Sequence, residues 1–509
     1  MASLDLEEWI TNSNTCFNIN FTRSSKRIHD ESFNPRFTYP IFNDAESIIG
    51  YKNPNIELDF RANDLHPSLK IQFDAKVDLS SMLGEDDEQI DLENIFKEYF
   101  PSSSKEASAA PDPSSKSWKP PGKLIHSFSL HGKQYEIWNA SLTDDAARKI
   151  WQNMQILVLL FIEGASLPEL DEFWSQERWT LYLMYEVTPL KDDAVTPYTL
   201  AGFSTSYRYW ILPTFDIMRS MKSLPSPPES SNGDTPKYTP PRLTQDTETF
   251  LFKEHIDALA VPSRERISQF LILPPYQSQS LGSKLYETVF EYLHKQTNIF
   301  EIAVEDPNEE FDAMRDYSDF AYLQKLPTFK SLSVVSSLPP EDLRKDSPIP
   351  RDRILGGGVD LEALRHEAKI VPRQFNRVLE LYLLSQIPPT HRNRARLTRK
   401  EKSSNENDRR YYFWRLALKH RIYCQNADVL DQLEDSSEKV EKLENAVDNQ
   451  QAEFEERLEG VRRREKWNAG EITPKAENSR SKRKRVVVDE DDWEDVDDEE
   501  SVSSKRARA

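Results

Sequence analysis

In the stretch Leu271 to Ser283, LILPPYQSQSLGS, an apolar run breaks at two prolines and a small, polar turn opens a segment with helical spacing. A turn of this kind offers backbone amides to an anion: the first N–H groups of the helix, together with its dipole, suit a pyrophosphate. Many strand-to-helix turns are only turns. The chain has no GxxxxGK or GxGxxG pattern, which sets aside P-loop and dinucleotide-binding chemistry. A second apolar run ends in Val304-Glu305-Asp306-Pro307, with two adjacent carboxylates. At the carboxyl edge of a parallel strand pair, where ligands of such sheets gather, a carboxylate has the position of a general base. The competing reading is a helix cap, since Asp306 ahead of Pro307 has the form of an N-cap with proline at the first helical position.

Elements of suitable type flank both places. Arg266 to Leu273 (RISQFLIL) reads as a strand whose nearly continuous apolar end predicts burial on both faces, stopped by Pro274-Pro275. Leu281, Leu285, Val289 and Leu293 recur at helical spacing, and Ile299 to Val304 (IFEIAV) reads as a short buried strand. Strand, turn, helix and strand make a βαβ unit, so the two strands are predicted to be parallel and adjacent. Trp179 to Val187 and Leu200 to Leu212, rich in aromatic and β-branched residues, read as neighbouring strands. Ala147, Ile150, Trp151, Met154 and Leu157/Val158 predict a helix over Ala146 to Ile162 with one buried face, leading into Glu163. Before residue 100 the pattern is that of a mixed α/β region, with extended pieces at Asn55 to Phe60 and Leu69 to Val77. From about 360 to 430 the chain is helical and basic. Heptad-spaced Leu433, Val440, Val447, Phe454 and Val461, interrupted by Ser436, Gln450 and Arg457, fit either a weak coiled coil or a single solvated helix.

Composition bounds the function. At 509 residues the chain has room for roughly three domains of about 150 residues. Its hydrophobic share of 37% against 30% charged is below the roughly 45–50% of an ordinary globular domain, so polar linkers or tails are expected beside the folded part. The longest apolar run, Ile156 to Ile162, is far short of the roughly 20 residues that cross a bilayer, and the amino terminus lacks the basic and apolar regions of a secretory signal. No membrane association is expected, and the protein is expected inside the cell. Two cysteines, Cys16 and Cys424, exclude a disulfide framework and a Cys-rich zinc module, and no metal is expected. The net charge of −20 argues against direct nucleic-acid binding and suits a cationic partner, or simply a solubilising surface. Residues 101–121 read as a linker and the proline-rich 220–246 as an inserted loop. Near the carboxyl end SKRKR (Ser481 to Arg485) precedes Asp489 to Glu500, with ten acidic residues in twelve, a block predicted to be disordered. The basic clusters, including Lys505 to Arg508, read either as nuclear import signals or as counterions to that acidic run.

RISQFLILPPYQSQSLGSKLYETV followed by EIAVEDPNEEFDAMRD resembles the cofactor-binding motif and following strand of the type B histone acetyltransferase catalytic subunits, members of the GNAT superfamily of N-acetyltransferases. The resemblance runs from about residue 5 to 420, through FNDAESIIGYK (Phe42 to Lys52), FIEGAS (Phe161 to Ser166), ERW (Glu177 to Trp179) and GFSTSYRYW (Gly202 to Trp210). It implies an α/β fold with the mixed central sheet of the GNAT acetyltransferases; together with the patterning above, the chain is expected to divide into a mixed α/β amino-terminal domain (1–125), an acetyltransferase domain (126–345), a helical domain (346–430), a helix or weak coiled coil (431–470) and a disordered tail (471–509). It also implies acetyl transfer from acetyl-CoA to lysines in the amino-terminal tail of newly made histone H4, presented as histone H3-H4, with a WD40 β-propeller histone-binding subunit as partner. The expected location is nucleus and cytoplasm.

Residue by residue, the family's backbone contacts to the acetyl and pantetheine groups fall on Phe270, Leu271 and Ile272. Its pyrophosphate turn falls on Gln277, Ser278, Gln279, Ser280, Leu281, Gly282 and Ser283. Its general base falls on Glu305, with Glu163 and Asp306 as acidic helpers, and its histone-tail contacts on Ala45, Glu46, Ser47, Trp179, Tyr207, Arg208 and Tyr209. This chain departs from the family where Ser280 replaces the first glycine of Gln-x-x-Gly-x-Gly. If the backbone there needs φ > 0, serine is strained by roughly 1 kcal/mol. At pH 7 only about 10⁻³ to 10⁻⁴ of a lysine is the neutral nucleophile, so such a transfer needs a base. Neither cysteine lies in the catalytic segment, and direct transfer in a ternary complex is expected. Two rivals remain open at this point: transfer to a polyamine, small amine or another protein, and a non-catalytic chromatin-associated scaffold.

Overall fold

The computed structural model describes residues 6–24, 26–79, 89–97, 99–100, 114–189, 195–210, 244, 246–249, 253, 259–260 and 262–468. The insert read at 220–246 lies outside these residues except for 244 and 246, and the tail read at 471–509 lies wholly outside them. Met1 to Gly460 form one compact unit, and the chain from Val461 belongs to a second.

An amino-terminal sheet contains β1 (Phe17–Arg23), β2 (Asn55–Arg61) and β3 (Pro67–Gln72), with a short edge strand at Lys26–Arg27. β1 and β2 are parallel, β2 and β3 antiparallel. Ile56, Leu58 and Phe60 alternate inward along β2, the period-2 burial of a sheet with one core face. The extended piece expected over Leu69 to Val77 is split. β3 stops at Gln72, Phe73 turns its ring onto Tyr51 at 5.0 Å, and Ala75–Lys76 pairs with Tyr51–Lys52 instead.

The central sheet has six strands in the spatial order β4 (Lys123–Leu130), β5 (Lys133–Ser141), β6 (Trp179–Val187), β7 (Tyr198–Trp210), β8 (Ser263–Ile272) and β9 (Ile299–Val304). Neighbours from β4 to β8 are antiparallel, while β8 and β9 are parallel, as the βαβ reading predicts. Between β5 and β6 runs α1 (Asp145–Phe161), capped by Asp144, whose carboxylate accepts from the N–H groups of Ala146 and Ala147. Its predicted face, Ala147, Ile150, Trp151, Met154, Leu157 and Val158, is buried. β8 and β9 are joined by α2 (Leu281–His294), which buries Leu281, Leu285, Val289 and Leu293. β8 itself corrects one expectation. Its burial alternates along the whole strand, so it is not buried on both faces, and Phe270 and Ile272 are only half-buried. The cause is β9, which pairs no further along β8 than Ile267.

A helical layer follows: α3 (Glu309–Leu323), α4 (Pro372–Ser385), α5 (Glu406–Gln425) and α6 (Ser436–Asn468). Up to Gly460, α6 is a helix that docks part of its apolar stripe on the rest of the chain. Val447, Phe454 and Leu458 are buried while Val440 is 59% exposed, so only part of the heptad stripe docks on the chain's own helices. The Phe454 ring lies 6.4 Å from Trp414 of α5, and the Arg377 guanidinium of α4 sits 5.8 Å from the same ring. A Cβ at Gly460 would collide with Tyr317 Oη of α3, so glycine permits this close approach.

At the centre of the layer is a charge cluster. Asp316 and Asp319 of α3 are 0% and 1% exposed. Arg377 Nε donates to both Asp316 oxygens at 3.0 and 2.9 Å, and Gln374 Nε2 donates to Asp316 and Asp319 at 3.1 Å each. Tyr286 of α2 donates to Asp319 at 2.8 Å. From α6, Glu453 pairs with Arg377, and Arg457 Nε lies 3.5 Å from Asp316. Among the described residues no helix is long and apolar enough to cross a membrane.

Candidate active site

The site begins where β8 and β9 part. Glu305 N–H still donates to Ile267 O at 2.8 Å, the continuation of the parallel pairing, but Asp306 then takes φ 33° and the chain leaves the sheet. β8 continues to Ile272 along β7, with a register shift opposite Ser204/Ser206. Leu273 N–H donates to Ala201 O of β7 at 3.0 Å. By strand alternation the backbone groups of Leu271 face β7, while those of Phe270 and Ile272 face the side that β9 has left. That side is a cleft with a peptide edge for one wall.

The far end of the cleft is the Gln277 to Ser283 turn. Pro274–Tyr276 forms a single 3₁₀ turn that buries the Tyr276 ring. Gln277 Nε2 then reaches back to Ile272 O at 2.8 Å, and Gln279 Nε2 donates to Pro275 O at 3.0 Å. Ser278 and Ser280 take φ 58° and 63°. The left-handed conformation at Ser280 is the one a family glycine would adopt without cost, so the serine carries a strain of roughly 1 kcal/mol. Ser280 is the N-cap of α2, yet its hydroxyl makes no cap bond. The amide end of the helix is therefore not covered by its own cap. Leu281 is in the core, Ser283 is buried, and a Cβ at Gly282 would meet Met314 Sδ at 3.1 Å.

Glu305 stands at the near end with its side chain 35% exposed. Its Oε1 accepts from Tyr207 Oη at 3.0 Å and lies 3.5 Å from Arg266 Nη1, and its Oε2 accepts from Ser268 Oγ. Arg266 Nη1 also donates to Tyr207 Oη at 3.1 Å. Burial, reinforced by the Glu305 charge, pushes the Tyr207 phenol up to about 12, so it stays protonated and donates. The Trp179 and Tyr207 rings lie 4.7 Å apart, and the Arg266 guanidinium sits 5.8 Å from Tyr207 and 5.9 Å from Tyr209. Trp179, Tyr207, Tyr209 and Glu305 are thus brought together. Arg266 and Ser268 join them without any motif in the sequence. Their signal is the register, because residues one step either side of Ile267 flank the carboxylate that follows Val304.

Other sequence expectations fare differently. The Arg208 side chain does not join the cluster. As the alternate residue between Tyr207 and Tyr209 it points to the opposite face, where its Nε donates to Glu265 at 3.1 Å and its Nη atoms to Leu259 O and Gln296 at 2.8 Å each. The residue is buried, and its guanidinium ties β7 to β8. The capping role of Asp306 is also corrected: the cap of α3 is Asn308, whose Oδ1 accepts from Phe311 N–H at 2.9 Å, and Asp306 is an exposed turn residue. Glu163 is exposed in the turn after α1, which is held where Gly164 N–H donates to Tyr39 Oη at 2.9 Å and Gln269 Nε2 to Ser166 O at 3.1 Å. Ala45 and Glu46 lie on a turn held within the amino-terminal region, and Ser47 opens the short strand Ser47–Ile49: the Glu46 carboxylate accepts from Thr38 N–H at 2.8 Å and Asn14 Nδ2 at 2.6 Å, and Ser47 N–H donates to Asn43 Oδ1 at 3.0 Å. Among the described residues no group of three His, Cys, Asp or Glu side chains is placed to hold a metal ion.

Comparison with known proteins adds to this geometry. The family model described as histone acetyl transferase HAT1 N-terminus matches residues 9–163. A curated histone acetyltransferase type B catalytic subunit from Gibberella zeae is 33% identical, covering 99% of this chain and 99% of its own length. The one from Aspergillus oryzae is 36% identical over 83% of this chain and 80% of its own, and that from Candida albicans 32% over 87% and 88%.

Proposed function

The chain belongs to the family of histone acetyltransferase type B catalytic subunits, and from that premise we propose that it transfers acetyl from acetyl-CoA to lysine side chains in the amino-terminal tail of newly synthesised histone H4, with Glu305 as general base. The observation that carries the reading is the Glu305 carboxylate at the mouth of the cleft between β8 and β9, held by two hydroxyls and faced by an aromatic strip. From Ile267, beside Glu305, to Ile272, beside the turn, β8 spans about 17 Å at about 3.3 Å per residue, a length suited to an extended pantetheine arm.

In this reading the amides of Gln277 to Ser283 and the end of α2 take the diphosphate. The peptide edge at Phe270 and Ile272 lines the arm and the acetyl group, with Leu271 packing behind them. Trp179, Tyr207 and Tyr209 receive the lysine stem, with Ala45 to Ser47 as a more distant tail contact. Glu305 takes a proton from the lysine as the C–N bond forms, a β8 backbone N–H stabilises the oxyanion, and the C–S bond breaks to release CoA, whose thiolate takes up a proton. Glu163 and Asp306, both exposed, pass the proton on to solvent. Tyr207, fixed as a phenol, orients Glu305. A cysteine acyl-enzyme is disfavoured: Cys16 is buried with its thiol pushed up to about 11, mainly by desolvation, and Cys424 lies on α5, away from β8 and β9.

The test is a radiolabelled acetyl-transfer assay with an H4 tail peptide and spermidine in parallel. Transfer to the peptide with little to spermidine is expected; the reverse would move the acceptor to a small amine, and transfer to neither would remove the enzymatic reading. The reading also includes a WD40 β-propeller histone-binding partner and residence in nucleus and cytoplasm. Co-purification and imaging of the tagged chain test these two points.

A further inference from the structure

Next to the acceptor aromatics lies a shoulder, residues 167–178, that this reading leaves unused. Its short helix Phe173–Arg178 runs directly into β6, whose first residue is Trp179. Phe173 and Trp174 are 66% and 53% exposed, the only two consecutive large apolar residues so exposed among the described residues. They sit on a held segment. The Arg178 guanidinium lies 5.8 Å from the Trp174 ring, and its Nε donates to Arg208 O of β7 at 3.0 Å. Gln176 accepts from Arg148 at 2.9 Å and donates to Leu170 O at 2.7 Å, and Ser175 Oγ donates to Glu169 O at 2.6 Å.

The rings have carboxylates for neighbours. Glu169, Asp171 and Glu172 are exposed, and none of the three carboxylates forms an ion pair with another described residue. Exposed aromatic rings next in sequence to exposed carboxylates suit a cationic side chain: its alkyl stem covers the ring, and its charge meets the ring face and the carboxylates. The shoulder is continuous with the strand that carries Trp179, the first of the aromatic residues that face Glu305.

Resting on the acetyltransferase reading, we infer that the Phe173/Trp174 shoulder is a second acceptor subsite, which binds a lysine or arginine flanking the lysine that is acetylated. This subsite makes a basic peptide a better acceptor than an isolated lysine of identical reactivity.

The test uses the full chain and two synthetic acceptors, a short peptide holding only the target lysine and a longer one with lysines and arginines on both sides. The double variant Phe173→Ala/Trp174→Ala is expected to raise KM for the long peptide about fivefold, the scale of one lost exposed cation–π contact, with kcat and the KM for acetyl-CoA unchanged. The short peptide is expected to be unaffected. Asp171→Asn/Glu172→Gln, which leaves the rings in place, is expected to raise the same KM and to flatten its dependence on salt. An unchanged KM for the long peptide, or an equal rise for both peptides, overturns the subsite while leaving the enzymatic reading intact. Fluorescence anisotropy of the labelled long peptide separates the other case: weaker binding by both variants, with no acetyl transfer by the wild type, upholds the surface and removes the acetyltransferase reading.

Discussion

The Glu305 cluster and the Asp316–Asp319 cluster are built from the same materials, carboxylates with arginine and tyrosine, and put them to opposite uses. Asp316 and Asp319 are sealed among α2, α3, α4 and α6, and desolvation raises both carboxyls, that of Asp319 to about 6. Their partners are drawn inward: Arg377 to Asp316 and Glu453, Gln374 to both aspartates, Tyr286 and Arg315 to Asp319. Glu305 has two hydroxyl donors and one arginine, and a side chain that solvent and an acceptor can still reach. Raised carboxyls alone therefore do not mark a reactive site in this fold, and Glu305 is singled out by backbone geometry, at the point where two parallel strands separate. The helical cluster also links the cofactor-turn helix α2 to α6, so it supports the site from behind.

The largest effect expected on the structural side comes from Arg377→Ala, which leaves buried Asp316 with the Gln374 amide and the longer 3.5 Å contact to Arg457, and leaves Glu453 with Arg457 and Gln450. Breaking a buried pair costs about 3–5 kcal/mol, to be read by chemical denaturation, while turnover per folded molecule stays near wild type. A loss below about 1 kcal/mol would break the comparison, because the cluster would then not be holding the layer together.

A smaller effect sharpens it. The Asp319 carboxyl is raised from 3.8 to about 6 in the folded chain, so between those values the folded state holds more proton than the unfolded one. Its contribution to stability is fully present below 3.8 and is lost as the pH rises through about 6. Asp319→Asn is expected to remove this part of the pH dependence of the melting temperature; an identical profile in the variant would contradict the assignment. The smallest effect belongs to the cofactor turn. Ser280→Gly relieves a left-handed serine and is expected to raise stability by up to about 1 kcal/mol, with the KM for acetyl-CoA changing less than about twofold. A large loss of acetyl-CoA affinity would instead assign the Ser280 hydroxyl to the diphosphate.

Much of the geometry around the turn between β8 and α2 was legible in the sequence, because its signals are local. Pro274-Pro275 stops β8, the spacing of Leu281, Leu285, Val289 and Leu293 gives α2, and the strand-turn-helix-strand order fixes a parallel pair. Ser280 stood out by departing from a glycine, and its φ of 63° bears the concern out. What was not legible depends on contacts distant in sequence. Arg266 and Ser268 reach Glu305 only through the parallel register, and Arg208 turned away because strand alternation separates it from its neighbours Tyr207 and Tyr209. The docking of α6 was hidden for a similar reason. A heptad pattern records an apolar stripe but not its partner, and here the partner up to Gly460 is the chain's own helical layer. Asp306 resembled a cap because of Pro307, but one further turn residue, Asn308, supplies the bond.

The most direct measurement is steady-state acetyl transfer to an H4 tail peptide by Glu305→Gln, with acetyl-CoA affinity measured by calorimetry on the same preparation. The account predicts kcat at neutral pH lowered by about 10²–10⁴-fold with acetyl-CoA binding within twofold of wild type, as for removal of a general base. Turnover equal to wild type, with acetyl-CoA still bound, would contradict it.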